Sequence, residues 1–339
     1  MPFKKLDVSE IRTLPLLLRK NKMTVEDIKS LKAAASIDFE NQELDKLIRK
    51  IIDAYVLKKK IILVVGAHVL RCGNSRFIID LMERGLVSHI ATNGAVAIHD
   101  FELAFLGETL EDVEFYIKDG KFGNWQETGE YINRAIICGR LNHWGFGESI
   151  GRMIEYEGFG PMPYKNISIF AAAVRLNIPI TVHKGIGYDI TDQHPLADFA
   201  AIGKTSGDDF LIFANSISQL EDGVFINMGS QVMGPEVYLK ALSMARNIAV
   251  QKNEEIKHFS TAVFDMVDLG NWREENISDY RNPRNLCDQR YYFRPLKSIL
   301  IRTIKDGGES FYIQGDFSVT VPALYLALRR AGCLKKFSL

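Results

Sequence analysis

The sequence is poor in cysteine, and its cysteines form no recognised pattern. The four are Cys72, Cys138, Cys287 and Cys333. No two of them have the CxxC or CxxxC spacing of a zinc or redox motif, which excludes a zinc knuckle and a disulfide framework. We therefore expect reduced thiols in a cytoplasmic protein and no metal bound through cysteine.

The sequence also lacks an excess of one charge and a long hydrophobic run. Its 339 residues include 42 Lys and Arg against 42 Asp and Glu, whereas nucleic-acid binders usually carry a basic excess. The longest apolar runs, 61–65 and 167–174, fall short of the ~18 residues of a membrane helix. No apolar stretch follows the N-terminal lysines, so no secretory signal is expected. These absences predict a globular protein whose partners include neither nucleic acid nor membrane.

Residues 1–57 predict a helical extension ahead of the main domain. Leu44, Leu47, Ile48 and Ile51 recur at helical spacing. From residue 58 the pattern changes to short apolar runs that alternate with helical periodicity. We therefore divide the chain into an N-terminal helical extension, 1–57, and an α/β domain, 58–339.

The α/β domain repeats a strand, a glycine and a helix. The continuous apolar run Ile61–Val65 is typical of a strand buried on both faces. Strands are predicted at 61–65, 89–92, 178–182, 224–228, 259–264, 299–304 and 311–314. This alternation predicts a Rossmann-like, doubly wound, mostly parallel sheet with helices on both faces.

Three of the predicted strands end at a glycine: Gly66, Gly94 and Gly229. Ligands of open α/β sheets bind beyond the carboxyl ends of the strands, where glycine lets the backbone approach them and helix N-termini favour phosphates. No GxGxxG fingerprint is present, so the glycines either serve a nucleotide cofactor or form plain turns between strand and helix.

Acids and imidazoles follow two of the strands. The segment 183–194, HKGIGYDITDQH, carries His183 and Asp189, and its spacing matches no zinc pattern. It forms either a substrate or cofactor loop or a structural one. Glu102 lies in a helix just past Gly94, where an acid either serves the helix dipole or faces the ligand crevice.

Lys297 stands in an aromatic context, YYFRPLKS at 291–298. A lysine there is either a nucleophile with a lowered pKa or an ordinary solvated lysine. If the nearby aromatic rings hold an organic cation, the acids Glu102, Asp189 and Asp316 are available to neutralise it.

Four segments together resemble the deoxyhypusine synthase family. ATNGAV at 91–96 is similar to that family's TTAGG-type segment, and IPITVHKGIGYD at 178–189 to its ALTDG-type loop. MGSQ at 228–231 resembles the LGGG turn, and DFSVTVP at 316–322 the closing DxSxxxP. Strings such as GAHVLRCG, NGAVAIHDFELA and INMGSQVMGPEVYLKAL are closer still to bacterial deoxyhypusine synthase-like proteins.

The resemblance implies a Rossmann-like NAD enzyme that assembles as a homotetramer, with sites between paired subunits. It places NAD contacts on a set of strand-end residues: Asn93, Gly94, Asp189, Gly229, Ser230 and Asp316. The family's first cofactor turn corresponds to Gly66, Ala67 and His68.

The implied reaction is a transfer that begins with oxidation of a polyamine or diamino acid. Hydride leaves the carbon bearing an amine, a second amine attacks the resulting imine, and the hydride returns. The second amine belongs to a protein lysine, a small amine or the substrate itself. Our catalytic candidates are Lys297, Asp189, Glu102 and His183.

Two alternatives remain. The C-terminal domain of arginine dihydrolase proteins has a similar set of strand-end turns, and that likeness implies an ornithine-cyclodeaminase-type lyase. A protein of another class, a catalytically inactive NAD-binding regulator, would keep the cofactor site without the chemistry.

Overall fold

The structure, a computed structural model, describes residues 3–273, 279 and 281–332. The strands are β1 (Asn21–Thr24), β2 (Ile61–Val65), β3 (His89–Thr92), β4 (Glu108–Glu111), β5 (Ile180–Val182), β6 (Val224–Met228), β7 (Ser260–Asp265) and β8 (Glu309–Gln314). The helices up to β5 are α1 (Gln42–Val56), α2 (Ala67–Arg71), α3 (Ser75–Glu83), α4 (Gly94–Leu106), α5 (Val113–Ile117), α6 (Gln126–Asn142), α7 (Phe146–Glu155) and α8 (Ile169–Arg175). Those after β5 are α9 (Phe199–Ile217), α10 (Met233–Gln251), α11 (Pro283–Leu286), α12 (Gln289–Tyr292) and α13 (Phe317–Arg330).

Six strands form one parallel sheet in the order β5-β3-β2-β6-β7-β8. Numbered by their appearance in the chain, these strands run 3-2-1-4-5-6, which is the Rossmann order. After β2 the chain adds β3 and β5 on one side of this strand, and it then adds β6, β7 and β8 on the other side. Ligands of such sheets bind at the switch point between these two halves. The structure confirms the predicted doubly wound α/β fold.

Helices cover both faces of the sheet because its central strands are apolar throughout. In β2, Ile61, Leu63 and Val65 face one hydrophobic core, and Ile62 and Val64 face the other. Since successive side chains of a strand point to opposite faces, an unbroken apolar run requires a core on each side. Helices α1, α3, α4, α8 and α13 contribute to the first core, and α9 and α10 to the second.

The first 57 residues differ from the predicted helical extension. The α-helix of their described part is α1, which buries Leu44, Leu47 and Ile51 in the same core as the sheet. Ahead of it are short 3-10 turns and β1, which pairs antiparallel with β4. The domain division at residue 57 stays a prediction, and the segment's packing is continuous with that of the sheet.

One predicted strand, 299–304, is wrong. The chain there forms a π-helix, Leu296–Arg302, that begins directly after Pro295. Leu296, Ile299 and Leu300 are buried at a spacing of three and four residues, which suits a helix better than a strand. A short apolar run does not separate the two possibilities, and the preceding proline decides for the helix.

The cysteines and the membrane expectation can be compared with the described residues. Cys72, Cys138 and Cys287 are free thiols, whereas Cys333 lies outside the described residues. No helix within the described part of the chain is long and apolar enough to cross a membrane.

Candidate functional site

A cavity of about 650 Å³ opens at the carboxyl ends of β3, β5 and β6. Its volume is within the range of small-molecule sites in proteins. The walls come from the loops after these strands and from the sides of α9 and α10. They include Asn93, Gly94, His183, Lys184, Tyr188, Asp189, Ser206, Phe210, Gly229, Ser230, Gln231, Val232, Met233 and Glu236.

The cavity gathers six of the residues predicted for the site: Asn93, Gly94, His183, Asp189, Gly229 and Ser230. They come from three strand ends far apart in the sequence. The parallel sheet brings these ends to one edge, which is why reasoning from strand ends could find them.

A buried ion cluster forms one wall. The Nζ of Lys184 lies 2.6 Å from Asp189 Oδ2 and 2.6 Å from Asp192 Oδ1. The Lys184 side chain is 1% exposed. One lysine between two aspartates leaves a net negative charge, so this wall favours a cationic ligand group.

The contact with Lys184 uses only one of the two carboxylate oxygens of Asp189. Burial raises the pKa of this carboxyl, and the Lys184 ammonium offsets part of that rise. Among the described residues, no hydrogen bond reaches its second oxygen, Oδ1. Asp189 therefore has both an open oxygen and a heightened tendency to take up a proton.

Position 94 has space only for a glycine, because the Asp189 side chain lies against it. A Cβ at position 94 would lie 2.0 Å from Asp189 Oδ2 and 3.0 Å from the Lys184 side chain. Any side chain at this position therefore displaces the ion cluster from the start of α4. The glycine serves the approach of a carboxylate, where the sequence had suggested the approach of a ligand.

The N-termini of two helices, α4 and α10, line the cavity. The Asn93 side chain caps α4 by accepting from the Val96 N–H at 3.1 Å. At the start of α10 the Ser230 hydroxyl accepts from the Gly234 N–H at 2.8 Å, whereas the N–H groups of Gln231, Val232 and Met233 donate to no described residue. Such groups, together with the helix dipole, attract phosphate. These features fit a dinucleotide cofactor with its pyrophosphate near the start of α10.

A second group of predicted residues lies beside the cavity and does not line it. The Gly66 N–H donates to the Met228 carbonyl at 2.8 Å, and a Cβ on Gly66 would lie 2.0 Å from the Gly229 carbonyl oxygen. The requirement for glycine at 66 is thus met by packing between the ends of β2 and β6.

Ala67, His68 and Asp316 belong to the same group. The His68 ring meets the Phe317 ring edge-on, with centroids 5.7 Å apart. Asp316 caps α13 by accepting from the Ser318 N–H at 2.6 Å, and the hydrogen bonds from Ser318 lower its pKa. The Phe317 ring also lies against Gly229, so it stands between His68 and the cavity-lining turn.

The structure does not bring Glu102 to the cavity. Its carboxylate is 1% exposed and pairs with both terminal nitrogens of Arg19, at 2.8 and 2.6 Å. Burial alone would raise the pKa of Glu102, but the charge and hydrogen bonds of Arg19, together with His99 and the hydrogen bond from Thr109, bring the pKa below its usual value. This carboxylate fixes the N-terminal segment to α4.

Lys297 also lies outside the cavity. It is buried in the π-helix, and its Nζ lies 3.7 Å from the centroid of the Tyr291 ring. Burial lowers its pKa, and Arg294 and Arg302 lower it further. Its environment is that of a lysine held on an aromatic ring.

Sequence reasoning missed Lys184. A lysine in a polar loop is usually solvated, and its burial depends on two acids five and eight residues further along the same loop. That spacing was visible in HKGIGYDITD and is the signal that was available. Within the described residues, no group of three or more His, Cys, Asp and Glu side chains is arranged to hold a metal ion.

Comparison with known proteins gives distant structural likenesses. No family model and no curated protein matches the sequence. A structure of ArgZ without ligand, an arginine dihydrolase from the ornithine–ammonia cycle in cyanobacteria, is 13% identical, with 87% of this chain and 32% of ArgZ covered and a TM-score of 0.49.

Two further structures show similar likenesses. AgrE in ternary complex with ornithine and NAD+ is 14% identical, with 90% of this chain and 34% of AgrE covered and a TM-score of 0.47. A LOR/SDH protein from Methanococcus maripaludis S2 is 15% identical, with 95% and 75% covered and a TM-score of 0.45. The chain thus spans about a third of the length of ArgZ and AgrE.

Proposed function

We propose that this chain is an NAD-dependent enzyme that oxidises an amine to an imine in the cavity at the ends of β3, β5 and β6. The observation that carries the proposal is the pairing, in one cavity, of a negatively charged wall at Asp189 with the N–H groups at the start of α10, Gln231–Met233, which have no acceptor among the described residues. The first suits the ammonium of a polyamine or diamino acid, and the second suits a pyrophosphate. The resemblance to deoxyhypusine synthases supports the same pair of ligands.

The first step balances as ammonium plus NAD+ giving iminium, NADH and a proton. When bound, NAD accepts and returns the hydride. The residues of the chain supply the rest. Asp189 holds the ammonium through its open Oδ1 and takes its proton, for which its raised pKa suits it. The start of α10 orients the pyrophosphate.

For the second step we favour a cyclodeaminase-type lyase over transfer through an enzyme lysine. Among the described residues, Lys184 is the lysine that lines the cavity, and its Nζ already donates to two aspartates. A covalent imine on the enzyme needs an uncharged amine within reach. The substrate's own second amine then attacks the imine carbon and ammonia leaves, whereas transfer to another amine would need an acceptor in the same cavity.

The test of NAD binding uses the same substitution at the two ends of one helix. Val232 is 62% exposed at the start of α10 and Val250 is 72% exposed near its end. Val232→Asp places a negative charge where the pyrophosphate would lie, and Val250→Asp is the matched control. We expect NAD to stabilise the wild type and Val250→Asp by about 2.7 kcal/mol at a hundredfold excess over Kd, and Val232→Asp much less. Equal thermal shifts in all three proteins, or none in the wild type, contradict the proposal.

The test of the reaction incubates the protein with NAD and a panel that includes spermidine and ornithine. We expect NADH or an exchanged hydride with at least one amine, and release of ammonia together with a cyclised product identifies the lyase. A product in which the substrate carbon is joined to the nitrogen of a second amine molecule, found by mass spectrometry, would restore the transferase. NAD binding with no reaction across diamines and diamino acids would support the inactive regulator. The homo-oligomer implied by the resemblance belongs to this proposal, and light scattering tests it.

A further inference from the structure

Behind one wall of the cavity, four buried side chains form a continuous chain of hydrogen bonds. His183 Nε2 lies 3.1 Å from Thr181 Oγ1, and Thr181 Oγ1 lies 3.0 Å from His89 Nε2. His89 Nδ1 in turn lies 2.8 Å from Ser216 Oγ. The four residues are between 0% and 7% exposed, and His183 alone of them lines the cavity.

The fold places these four residues together. Thr181 lies in β5 and His183 directly follows that strand; being two residues apart, they point to the same face of the sheet. His89 reaches them from the neighbouring strand β3, and Ser216 from α9, which covers that face. The Phe213 ring meets both imidazoles edge-on, with centroids 5.5 Å from His89 and 5.0 Å from His183.

The positions of the protons along this hydrogen-bond chain depend on one another. The Thr181 hydroxyl has one proton, and among the described residues the two imidazoles are its only partners. Since a buried proton without an acceptor is costly, Thr181 donates to one imidazole and accepts from the other. Burial lowers the pKa of His183 to about 4 and that of His89 to about 3, so both rings are neutral near pH 7. Each ring therefore carries a single proton, and the position of one proton sets the position of the next.

Ser216, at one end of this hydrogen-bond chain, determines the direction in which the hydrogen bonds are donated. Among the described residues, His89 Nδ1 is the only partner of the Ser216 hydroxyl. If His89 donated to Ser216, the serine proton would be buried without an acceptor, and a buried donor left unpaired is costly. If Ser216 donates, His89 donates from Nε2 to Thr181, and Thr181 donates to His183 Nε2. The remaining proton of His183 is then on Nδ1, which bonds no described residue.

We infer that Ser216, His89 and Thr181 are positioning residues that fix His183 as a neutral hydrogen-bond donor toward the cavity. The ligand group that meets His183 is then an acceptor, such as a carbonyl oxygen or an uncharged amine, and not an ammonium. With Asp189, which lines the same cavity, accepting the cationic group, the two residues together fix the orientation of the ligand. The inference about the ligand rests on the proposed function, but the inference about the proton does not.

The test observes the ring nitrogens directly in ligand-free protein. NMR of protein labelled with 15N in histidine distinguishes protonated from unprotonated ring nitrogens. We expect the proton on Nδ1 in His183 and on Nε2 in His89. Thr181→Val removes the linking hydroxyl at nearly constant volume, so we expect the His183 signals to shift toward a mixture of the two tautomers. Thr92→Val is the matched control, because Thr92 is a buried threonine on β3 that is not part of the hydrogen-bond chain. Its hydroxyl donates to the Thr181 carbonyl. His183 should keep its tautomer in that variant.

A wild-type His183 with its proton on Nε2, or an unchanged His183 tautomer in Thr181→Val, would overturn the inference. If Thr181→Val does not fold, Ser216→Ala offers a second way to release the chain from its end. With a reacting amine, we expect Thr181→Val to lower kcat by up to about tenfold, the value of one hydrogen bond, and Thr92→Val to leave it unchanged. If the NMR result holds while no amine reacts with NAD, the proposed function fails and the tautomer assignment stands.

Discussion

Two buried ion clusters of this molecule differ in how fully their carboxylates are occupied. The Glu102 carboxylate accepts four hydrogen bonds, two from Arg19 and one each from Thr109 at 2.6 Å and Thr128 at 2.8 Å. The Asp189 carboxylate has one partner, Lys184, and one open oxygen on a cavity wall.

The difference separates a structural acid from one that can bind a ligand. Burial of a charge costs free energy in both clusters, and each is compensated by an opposite charge. At Glu102 every strong acceptor position is filled from within the chain, so no ligand can add to it. At Asp189 the chain leaves one whole oxygen, Oδ1, without a described partner, although the carboxylate is largely removed from solvent.

The largest effect should come from breaking the Arg19–Glu102 cluster, in which the carboxylate already accepts four hydrogen bonds. Glu102→Gln places an amide NH2 against groups that are all donors, Arg19 and two threonine hydroxyls. We expect a loss of about 3–5 kcal/mol in the free energy of unfolding, measured by chemical denaturation. The matched control is Glu148→Gln, which breaks an exposed pair with Arg152 and should cost less than about 1 kcal/mol. A Glu102→Gln protein as stable as the control would show that the cluster is not an anchor.

The next effect concerns activity. Asp189→Asn keeps an oxygen for Lys184 and leaves that lysine paired with Asp192, so we expect a small change in stability. The open carboxylate oxygen is lost, and amine-dependent NADH formation should fall on the order of 100-fold, with the NAD-induced thermal shift retained. Full activity in Asp189→Asn would mean that the amine binds elsewhere.

The smallest effect is expected at Lys297. Lys297→Met keeps the packing of the aliphatic chain and removes the contact of the ammonium with the Tyr291 ring, which should cost about 1 kcal/mol. Since this lysine lines no part of the cavity, amine oxidation should continue, and borohydride trapping with labelled amine should leave Lys297 unlabelled. Label on Lys297, found by peptide mapping, would restore the covalent transferase mechanism.

The sheet could be predicted because its signals are local. A continuous run such as Ile61–Val65 has to lie between two cores, and the structure has β2 at those residues. The run at 299–304 was ambiguous because a buried helix and a buried strand are equally apolar over so few residues. The order of the strands was expected only as a class, since it depends on contacts between distant segments.

The site was predicted less well because the number of hydrogen-bond donors that reach a buried carboxylate depends on residues distant in the sequence. Reasoning from strand ends identified Gly94, His183 and Asp189, and the family resemblance added Asn93; all four line one cavity. Strand ends could not show that Glu102 would be saturated by Arg19, which is 83 residues away in the sequence. Lys184 was overlooked for the same reason, because the residue type indicates solvent and the burial comes from its partners.

The anchoring of the N-terminal segment has a consequence for the order in which the chain acquires its structure during synthesis. The Leu16 N–H donates to the Glu127 side chain, 111 residues later, and Leu14 bridges to Trp125. At roughly 5–20 residues per second, a ribosome needs about 5–20 s to make the residues that separate these partners. During that time the apolar side chains around Leu16 lack the partners that bury them in the folded protein, Tyr116 and Trp125, so this segment depends on the surrounding cell to prevent association.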